Sequence, residues 1–480
     1  MNRPNILFIM IDDLGWRDVS CFGSEFYETP NVDALAAEGM RFTDAYASCP
    51  VCSPTRASIL TGKYPATLGL TNYIDWRYDL HPRKSRLIDA PYIRHLPHSE
   101  KTLATSFKES GYDTCHVGKW HLGGPDFYPD RHGFDENIGG CEWGMPMNGY
   151  FAPWGISTLE EGKPGEYLTD RLTTAAIRWI ENRTSKPWFL NLWYYSVHVP
   201  IQGKKELVEK YEEKAREMGI AGKVEPRAIG IDVFDPEEKR QVFARTVQSH
   251  AEYAAMIESF DENIGRIVSH LKASGEWENT VVVFTSDNGG LSTGLEGGIT
   301  SNEPLTAGKG WMYEGGTRVA TVIRAPGVTA AGSTCNTPVT STDFYPTLLE
   351  LAGADLEPAQ HTDGVSLTPL LSGGGTPKRD AIFWHFPHYS NLMNRPACSI
   401  RMGDWKLIQF FEDNHLELYN LRDDIGESHN LADGKPELRE RMLDRLEMWK
   451  ERVCARIPKP NPDWQPVASE DASDPSSPLV

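Results

Sequence analysis

Two pairs of oxygen-bearing residues follow runs that are typical of buried β-strands. Asp12-Asp13 comes directly after an apolar run of six residues, and Asp287-Asn288 follows a second run that begins at Val281. Ligand sites in open α/β sheets lie at the carboxyl ends of strands, so we expect both pairs at the same edge of one sheet. Their carboxylate and amide oxygens suit a hard cation such as Ca²⁺ or Mg²⁺. Asp and Asn also serve as ordinary turn residues, but two pairs in equivalent positions favour a metal site.

A second group of residues that could do chemistry begins at Cys52 and reads Cys-Ser-Pro-Thr-Arg-Ala-Ser-Ile-Leu-Thr-Gly. Ser53 is a favourable N-cap, Pro54 suits the first helical position and Gly62 suits a C-terminal stop. A short helix is therefore predicted to begin just after Cys52, where backbone N–H groups favour an anion. Arg56 would project from the same face. Spacing alone also allows a thiolate phosphatase, although those enzymes place their arginine farther along the loop.

The runs that must position these residues predict an α/β fold. The strand-like runs at 6–11 and 281–284 are continuous in apolar residues, and the run at 188–194 is a weaker example because it contains Asn191. Such runs are typical of strands covered on both faces. A helix is predicted between residues 256 and 271, because apolar residues recur there at steps of three and four and Gly275 follows. The expected architecture is a large, mostly parallel sheet sandwiched by helices.

A change in character from Thr376 onward predicts a smaller second unit. Two short strand-like pieces, at 381–385 and 405–410, precede a helix with apolar residues on one face. The Gly-rich stretch at 372–377 is typical of a boundary. The predicted division is a catalytic domain at 1–372, a C-terminal α+β subdomain at 373–457 and a tail at 458–480.

The charge balance restricts the partners of this chain. Its 48 basic and 67 acidic residues give 480 residues a formal net charge of −19 and a pI near 5.2. This excess argues against a nucleic-acid partner and against docking on an anionic membrane. The longest apolar run has six residues, too few for a membrane span or a secretory leader. The compartment stays open: cytoplasmic as the chain is written, periplasmic or extracellular if a leader has been removed.

In combination, the motifs resemble one known family. Cys52-x-Pro54-x-Arg56 followed by Leu-Thr-Gly is similar to the signature of the type I, formylglycine-dependent sulfatases of the alkaline-phosphatase superfamily. The other hallmarks follow in that family's order: Asp12-Asp13, the run Gly118-Lys119-Trp120-His121-Leu122-Gly123, His198 before Pro200, Ser286-Asp287-Asn288-Gly289, and Lys309 ahead of Tyr313-Glu314-Gly315-Gly316. The resemblance implies an alkaline-phosphatase-like version of the α/β fold.

The same resemblance implies a modified nucleophile and a metal ion. In that family a separate maturase, either formylglycine-generating or anaerobic, oxidises the signature cysteine, which is Cys52 here, to formylglycine. The cation, Ca²⁺ with Mg²⁺ as the alternative, would be held by the formylglycine together with Asp12, Asp13, Asp287 and Asn288. It would lower the pKa of a hydroxyl of the hydrated aldehyde and neutralise charge on the sulfate oxygens.

Further catalytic and substrate-binding roles are implied for five side chains. Arg56 would orient the formylglycine, and Lys119 would clamp sulfate as a point charge. His121, two residues on in an expected extended segment, would point to the same side and take a hydroxyl proton. His198 and Lys309 would flank the leaving oxygen, one of them protonating the departing alcohol. The implied mechanism is covalent: one hydroxyl of the hydrate attacks sulfur, and the second then expels sulfate.

The implied reaction is therefore hydrolysis of a sulfate monoester. Within the same superfamily the alternatives are an arylsulfatase of broad scope and a phosphonate monoester or phosphodiester hydrolase, since relatives share the nucleophile and the metal site. A catalytically silent, lectin-like binder of sulfated glycan is an alternative from a different class. The complete set of nucleophile, acid and metal ligands argues against it.

Two segments bear on the substrate. Residues 76–98 hold five Lys or Arg against two Asp, so this segment could line the pocket for an anionic sugar or be a simple solvated loop. The run Trp-His-Phe-Pro-His-Tyr contains His385 and His388, and in many carbohydrate sulfatases the corresponding loop borders the sugar. Both histidines are candidate substrate contacts, with ordinary packed histidines as the alternative. We expect an exo-acting O-sulfatase for small or oligomeric sulfated sugars of glycosaminoglycan, mucin or algal polysaccharide.

Overall fold

The computed structural model of this protein describes residues 3–75, 85–233 and 240–465. Its strands are β1 (Asn5–Ile11), β2 (Met40–Phe42), β3 (Ala45–Tyr46), β4 (Leu87–Ile88), β5 (Asp113–Gly118), β6 (Glu136–Ile138), β7 (Trp188–Trp193), β8 (Arg227–Ile231), β9 (Gln241–Ala244), β10 (Thr280–Ser286), β11 (Thr293–Gly294), β12 (Thr321–Arg324), β13 (Ser333–Cys335), β14 (Val339–Thr340), β15 (Ile382–Phe386), β16 (Ala397–Met402), β17 (Trp405–Phe410), β18 (Leu416–Asn420) and β19 (Lys459–Pro460). Its α-helices are α1 (Pro30–Glu38), α2 (Cys52–Thr61), α3 (Pro65–Leu68), α4 (Leu103–Glu109), α5 (Leu168–Asn182), α6 (Lys205–Glu217), α7 (Ala251–Ala273), α8 (Glu314–Thr317), α9 (Phe344–Leu351), α10 (Thr368–Leu371) and α11 (Pro436–Arg452).

An eight-stranded sheet forms the centre of the larger part of the molecule. Its strand order is β13-β2-β12-β10-β1-β7-β5-β6. The five strands from β10 to β6 run parallel, whereas β12 pairs antiparallel with both β10 and β2. The predicted mostly parallel sheet is confirmed, with β12 as its antiparallel strand.

The central strand β1 shows how the sheet is covered. All seven of its residues are buried, and alternate side chains enter opposite cores because successive residues of a strand point to opposite faces. One core holds Leu7 and Ile9 with side chains of α1, α5 and α7. The other holds Phe8 and Met10 with side chains of α2, α4 and α9. Burial on both faces explains why this strand is apolar throughout rather than alternating.

Helix α7 confirms the long helix predicted before β10, although it begins earlier, at Ala251. Met256, Phe260 and Ile264 lie on its buried side and pack in the first of these two cores. In the described parts of the chain, no helix combines the length and apolar character that crossing a membrane requires.

The C-terminal unit is a four-stranded antiparallel sheet, β15-β16-β17-β18, with α11 packed on it. The Phe383 ring of β15 stacks on Trp449 of α11 with the ring centroids 4.8 Å apart. The predicted strands near 381–385 and 405–410 and the helix after them are confirmed. The exact limits of the predicted domains stay predictions.

The first residues of the predicted tail return to the larger part of the molecule. Strand β19 pairs antiparallel with β4. Beside this pair the Asn461 backbone N–H donates to the Arg86 carbonyl at 2.9 Å, and the Asn461 side chain donates to the Ser85 carbonyl at 2.9 Å. Residues 466–480 lie outside the described residues.

Candidate active site

The two predicted ligand pairs are neighbours at one edge of the central sheet. Strands β1 and β10 are adjacent and parallel, and their last residues, Ile11 and Ser286, are paired in register. Asp12-Asp13 and Asp287-Asn288 therefore leave the sheet side by side at its carboxyl edge, as the sequence predicts. All four side chains are buried.

Three carboxylates converge at this edge. One oxygen from each of Asp12, Asp13 and Asp287 lies within 4.8 Å of the other two. Burial raises the pKa of Asp12 well above its usual value, and the Asp287 carboxylate raises it further. Burial acts in the same direction on Asp13, but the Lys309 charge outweighs it and holds the pKa of Asp13 well below its usual range. Crowded buried carboxylates are stabilised when a cation shares their site.

The donor atoms of this carboxylate cluster fit a divalent cation. Oδ1 of Asp12 and Oδ1 of Asn288 are buried and accept no hydrogen bond. The Asn288 amide donates through Nδ2 to Asp13 Oδ1 at 2.9 Å and to the Gly289 carbonyl at 2.9 Å, which identifies Oδ1 as the unused amide atom. Buried oxygens that accept no hydrogen bond call for a further partner, although Asp12 Oδ1 also lies 3.7 Å from Arg56 Nη2. Oxygen atoms from carboxylates and an amide form the ligand set of a hard cation.

Two lysines point their charges at the same cluster. Lys119 Nζ lies 2.5 Å from Asp12 Oδ2, and Lys309 Nζ lies 2.7 Å from Asp13 Oδ1. The Lys119 side chain is buried completely, and the Lys309 side chain is 9% exposed. Both amines are therefore placed to hold an anion that binds beside the carboxylates.

Helix α2 presents Cys52 as its first residue. Val51 is the N-cap, so the predicted capping role of Ser53 is wrong. The helix begins two residues earlier than predicted, and the Ser53 hydroxyl instead accepts a hydrogen bond from the Ile74 backbone N–H at 3.1 Å. Gly62 ends the helix with a φ of 67°, as its lack of a side chain allows. Cys52 thus lies where helix N–H groups face an anion.

Arg56 connects helix α2 to the carboxylate cluster. Its guanidinium donates through Nε and Nη2 to Asp287 Oδ2 at 2.9 and 2.7 Å, and through Nη1 to the Lys119 carbonyl at 2.8 Å. The group also lies 5.4 Å from the centroid of the Trp193 ring. Burial acts to raise the pKa of Asp287, but the Arg56 charge outweighs it and keeps that pKa low.

His121 faces the nucleophile position. Its Nδ1 lies 3.3 Å from Cys52 Sγ, and its Nε2 donates to the Ile74 carbonyl at 2.6 Å. A carbonyl can only accept, so the proton resides on Nε2 and Nδ1 faces the thiol as an acceptor. The expected extended segment is wrong: β5 ends at Gly118, and His121 has a φ of 58°. Gly144 lies against the imidazole, because a Cβ there would come within 2.5 Å of His121 Cε1.

His198 and Lys309 lie on the same side of Asp13. His198 donates through Nδ1 to the Val199 carbonyl at 3.0 Å, and its Nε2 lies 3.6 Å from Asp13 Oδ2. Burial, followed by the Lys309 charge, lowers the pKa of His198 to about 3. Burial acts to lower the pKa of Lys309, but Asp13 outweighs it and raises that pKa above its usual value. Without substrate, Lys309 carries a proton and His198 is neutral.

The structure does not bring His385 or His388 into the carboxylate cluster. Both imidazoles are buried. His385 donates through Nε2 to the Arg456 carbonyl at 2.9 Å and packs near the Trp449 ring. His388 Nε2 is hydrogen-bonded to the Thr71 hydroxyl at 2.8 Å. Packing within the C-terminal unit accounts for the buried position of His385. Direct contact of His385 or His388 with a sugar stays a prediction.

Only part of the basic segment at 76–98, which could line the pocket, can be described. Residues 76–84 lie outside the described residues. In the remainder, the Tyr92 hydroxyl donates to the Tyr73 carbonyl at 3.3 Å, and the Arg94 guanidinium lies 5.4 Å from the centroid of the Tyr92 ring. The role of this segment as a pocket wall stays a prediction.

Sequence reasoning missed Asp18. This buried carboxylate accepts hydrogen bonds from Gly15, Thr300, Gln248 and Tyr253 at 2.7 to 3.0 Å. Burial raises its pKa to about 6. Asp18 therefore anchors the loop that follows the first ligand pair. Its only signal in the sequence is a third acidic residue shortly after Asp12-Asp13, which spacing alone does not distinguish from a surface acid.

Comparison with known families decides the identity of this arrangement. The family model described as sulfatase matches residues 4–354. The chain belongs to the sulfatase family. A second model, described as the C-terminal region of N-sulphoglucosamine sulphohydrolase, matches residues 306–452. The resemblance seen in the sequence is thus confirmed, and this sulfatase is a sulfuric ester hydrolase.

Individual relatives and solved structures agree with this assignment. A sulfatase of Formosa agariphila is 31% identical over 96% of this chain and 93% of its own length. The N-acetylgalactosamine-6-sulfatase of Mus musculus is 31% identical over 79% of this chain and 68% of its own length. The crystal structure of Ps i-CgsB in complex with k-i-k-neocarrahexaose superposes with a TM-score of 0.75 and 30% identity, over 96% of this chain and 95% of that one.

Proposed function

We propose that this sulfatase is an exo-acting O-sulfatase of sulfated carbohydrates whose nucleophile is formylglycine made from Cys52. The observation that carries the proposal is the convergence of Cys52, His121 and the buried carboxylate cluster. In this site the Cys52 Sγ stands for an oxygen of the hydrated formylglycine. It lies 3.3 Å from His121 Nδ1, the distance at which a hydroxyl could donate to that nitrogen.

The cation we propose is Ca²⁺, held by Asp12, Asp13, Asp287 and Asn288. An all-oxygen ligand set without thiolate or imidazole disfavours zinc and suits Ca²⁺ or Mg²⁺. When bound, the cation would lower the pKa of a coordinated hydroxyl and neutralise charge on the sulfate oxygens. Mg²⁺ is the alternative for the same oxygens.

His121 supplies the proton acceptor. The bond from its Nε2 to the Ile74 carbonyl fixes the tautomer and leaves Nδ1 free to accept. Burial, followed by the Lys119 charge, lowers the pKa of His121 well below its usual value, so the imidazole is neutral at working pH. A neutral imidazole aimed at residue 52 can take the proton of a hydroxyl there as sulfate leaves.

Lys309 and His198 would assist the departing alcohol. Lys309 already carries a proton, and a bound sulfate adds negative charge that would raise the pKa of His198. A positioned proton donor contributes a rate factor on the order of 10²–10⁴. This help matters most for a sugar alcohol, which is a poor leaving group.

The substrate class rests on the relatives and on the shape of the site. One relative is named an N-acetylgalactosamine-6-sulfatase, and one similar structure holds a neocarrahexaose. The side chains of Lys119, Asp12 and Arg56 are buried completely, and the His198 side chain is 15% exposed. A site this enclosed favours one terminal sulfated sugar over the middle of a long chain, which supports exo action.

The maturase is the second proposed partner. Cys52 is only 2% exposed and lies at the start of a helix that is buried along its length. An enzyme acting on this side chain needs a locally extended substrate. We therefore propose that the maturase acts on this chain before α2 is packed.

The test combines mass spectrometry with substrate profiling. After co-expression with a maturase, the tryptic peptide that contains Cys52 is expected to carry formylglycine, and the protein is expected to release sulfate from defined mono- and disaccharide sulfates. Cys52→Ala is expected to abolish release. Cys49→Ala is the matched control, because Cys49 is equally buried but has its Sγ beside the Thr71 carbonyl, at 4.0 Å.

The outcomes separate the alternatives. Faster turnover of an aryl phosphodiester or phosphonate monoester than of any sulfate would assign the protein to the related hydrolases. Comparable turnover of every aryl sulfate without a preferred sugar sulfate would indicate an arylsulfatase of broad scope. An unmodified Cys52 together with sugar binding but no sulfate release would indicate the lectin-like binder.

A further inference from the structure

Lys309 is carried by a segment that lies between the two parts of the molecule. This Lys309 segment, residues 306–314, contacts the larger part through its backbone. The Lys309 N–H donates to the Gly290 carbonyl at 3.1 Å, and the Gly310 N–H donates to the Pro50 carbonyl at 2.8 Å. The first bond places the segment beside the loop that follows Asp287-Asn288. The second places it beside the residues that precede helix α2.

The C-terminal unit holds the same segment on both sides of Lys309. Before the lysine, the Thr306 hydroxyl donates to the Gly426 carbonyl at 2.5 Å. After it, Trp311 Nε1 donates to the Leu392 carbonyl at 3.0 Å. Gly310 packs directly on this unit, because a Cβ there would come within 2.6 Å of Leu392 Cδ1.

Buried acidic side chains and a lysine fix the end of the segment. The Glu314 backbone N–H donates to Glu427 Oε2 at 2.6 Å. The Glu314 carboxylate pairs with Lys406 at 2.9 Å, and Lys406 pairs in turn with Glu427 at 2.9 Å. The side chains of all three residues are buried completely. Breaking a buried pair by removing one partner is costly, so this end of the segment is firmly attached to β17.

One tyrosine links the segment to β18. The Tyr313 hydroxyl donates to Glu417 Oε2 at 2.9 Å. The Tyr419 hydroxyl donates to the same oxygen, also at 2.9 Å. The two bonds are equal in length but connect different parts. The bond from Tyr313 joins the Lys309 segment to β18, whereas the bond from Tyr419 lies within β18.

We propose that Tyr313 is a positioning residue for Lys309, and that the C-terminal sheet sets the place of the Lys309 amine through the bond between Tyr313 and Glu417. This inference rests on the proposed function, in which Lys309 assists the leaving oxygen. A long lysine side chain is placed only as accurately as its backbone, and a displacement of about 1 Å can cost on the order of 10²-fold in rate. The C-terminal sheet then contributes to catalysis without touching the substrate.

The experiment compares Tyr313→Phe with Tyr419→Phe in the full, matured chain. Each variant removes one hydroxyl from the same carboxylate, so their losses of stability are expected to be similar. Turnover is measured on the best sugar sulfate and on 4-nitrophenyl sulfate, whose leaving group needs little assistance. Lys309→Ala serves as the reference for complete loss of the amine.

Tyr313→Phe is expected to lower kcat about tenfold on the sugar sulfate and less than about threefold on the aryl sulfate, with KM little changed. Lys309→Ala is expected to show the same ordering with larger losses. Tyr419→Phe is expected to stay within about twofold of the parent protein on both substrates. Equal losses for the two tyrosine variants would overturn the positioning role.

Crystal structures of the two variants give a readout that does not depend on turnover. In Tyr313→Phe the Lys309 amine is expected to move away from Asp13, and in Tyr419→Phe it is expected to stay. An unmoved amine in both variants would overturn the inference. Absence of sulfate release by the parent protein would instead overturn the proposed function, and the displacement of Lys309 would still decide the positioning role.

Discussion

The surroundings of Asp12 oppose its negative charge when no metal ion is bound and would favour that charge when one is bound. In the metal-free protein its buried charge is opposed by burial and by the Asp287 carboxylate, and its pKa is raised accordingly. A bound divalent cation reverses this balance, since it turns each nearby carboxylate into a favourable partner. Of the three carboxylates, Asp12 is therefore the one whose charge would gain most from a bound cation, since Asp13 and Asp287 already have lowered pKa values.

Asp12→Asn is expected to abolish sulfate release while leaving the metal-free protein at neutral pH at least as stable as its parent. The amide removes one of three crowded charges, and its oxygen can still accept from Lys119. The stabilisation by Ca²⁺, worth about 2.7 kcal/mol at a hundredfold excess over Kd for the parent protein, is expected to disappear. Thermal unfolding in EDTA and in Ca²⁺ measures both effects.

Asn288→Asp is the matched variant with the opposite change of charge. Its new carboxylate replaces an amide that donates to Asp13 at 2.9 Å. The metal-free variant is expected to be less stable than the parent, and Ca²⁺ is expected to stabilise it by more. A metal-independent unfolding temperature in both variants and the parent would contradict the assignment of the cluster as a cation site.

Asp18 supports a second prediction at this scale, because only donors reach its carboxylate. In Asp18→Asn the amide nitrogen must face either the Gly15 N–H or Gln248 Nε2, and both of these are donors. Turning the Gln248 amide round would set its oxygen against the Arg17 and Ser301 carbonyls. The loop after Asp13 is expected to shift, weakening Ca²⁺ binding about tenfold, equivalent to about 1.4 kcal/mol.

Calorimetric titration of Ca²⁺ measures the loss. Asp261→Asn is a matched control, because Asp261 is also buried, has its pKa raised to about 6 and caps α1 away from the cluster. Equal Ca²⁺ affinity in parent and Asp18→Asn would refute the role of Asp18.

At the scale of elements, the sequence predicts what each strand determines by itself. Continuous apolar runs predict β1 and β10, and a weaker run predicts β7. The polar pairs after β1 and β10 predict the carboxylate cluster, because the ends of neighbouring parallel strands meet at one edge. Local signals also predict the end of α2 at Gly62. These features depend on side-chain types a few residues apart, which any single sequence displays.

The details of the site depend on contacts that are distant in sequence. The start of α2 was misplaced because the Ser53 hydroxyl is used by Ile74, twenty-one residues later. His121 reaches Cys52 from a loop with a positive φ, held by the Ile74 carbonyl and closed by Gly144. No periodicity encodes such contacts, so roles taken from the family resemblance located the residues but not the geometry that orients them.

The pairing of β19 with β4 supports a prediction about the C-terminal strap, which we define as residues 456–465. Deletion of the chain from residue 456 onward removes this pairing, the Asn461 bonds to Ser85 and Arg86, and the carbonyl that accepts from His385. The loss of these hydrogen bonds is expected to cost a few kcal/mol of unfolding free energy, at about 1 kcal/mol each. Because β4 lies within the predicted pocket wall at 76–98, kcat/KM is expected to fall more for a sugar sulfate than for an aryl sulfate.

Deletion from residue 466 onward is the control, since it leaves the strap in place. This shorter deletion is expected to match the full chain in unfolding temperature and in kcat/KM on both substrates. Equal effects of the two deletions, or an equal loss on sugar and aryl sulfates after the longer one, would contradict a role of the strap in supporting the substrate side of the site.

At the scale of the whole molecule, a net charge of −19 coexists with a site for an anion. The attraction is local, because Lys119, Lys309 and Arg56 are buried around one small volume and are screened little by salt. A net charge of −19 gives the chain as a whole little bulk attraction to a long polyanion. This distribution favours one sulfate at a time, in keeping with the proposed exo action.

The buried charges that join the two parts of the molecule support the last prediction. Glu427 shares Lys406 with Glu314, and burial raises the pKa of Glu427 to about 8, whereas its usual value is near 4.5. A raised pKa means that the folded protein keeps a proton that the unfolded chain releases. The contribution of Glu427 to stability is therefore complete below pH 4.5 and falls as the pH rises towards 8. One such proton changes the free energy of unfolding by at most about 1.4 kcal/mol per pH unit.

Glu427→Gln removes this titration while keeping the shape of the side chain. Asp18 and Asp261 also have their pKa values raised, to about 6, and contribute to the fall of stability with pH in both proteins. The difference between variant and parent therefore isolates Glu427. Urea unfolding between pH 5 and pH 9 is expected to show the variant gaining stability relative to the parent as the pH rises to about 8, and no further gain above it. Stability curves that run parallel for variant and parent would show that the pKa of Glu427 is near its usual value. Lys406 would then neutralise the carboxylates of both Glu314 and Glu427, where the C-terminal sheet meets the Lys309 segment.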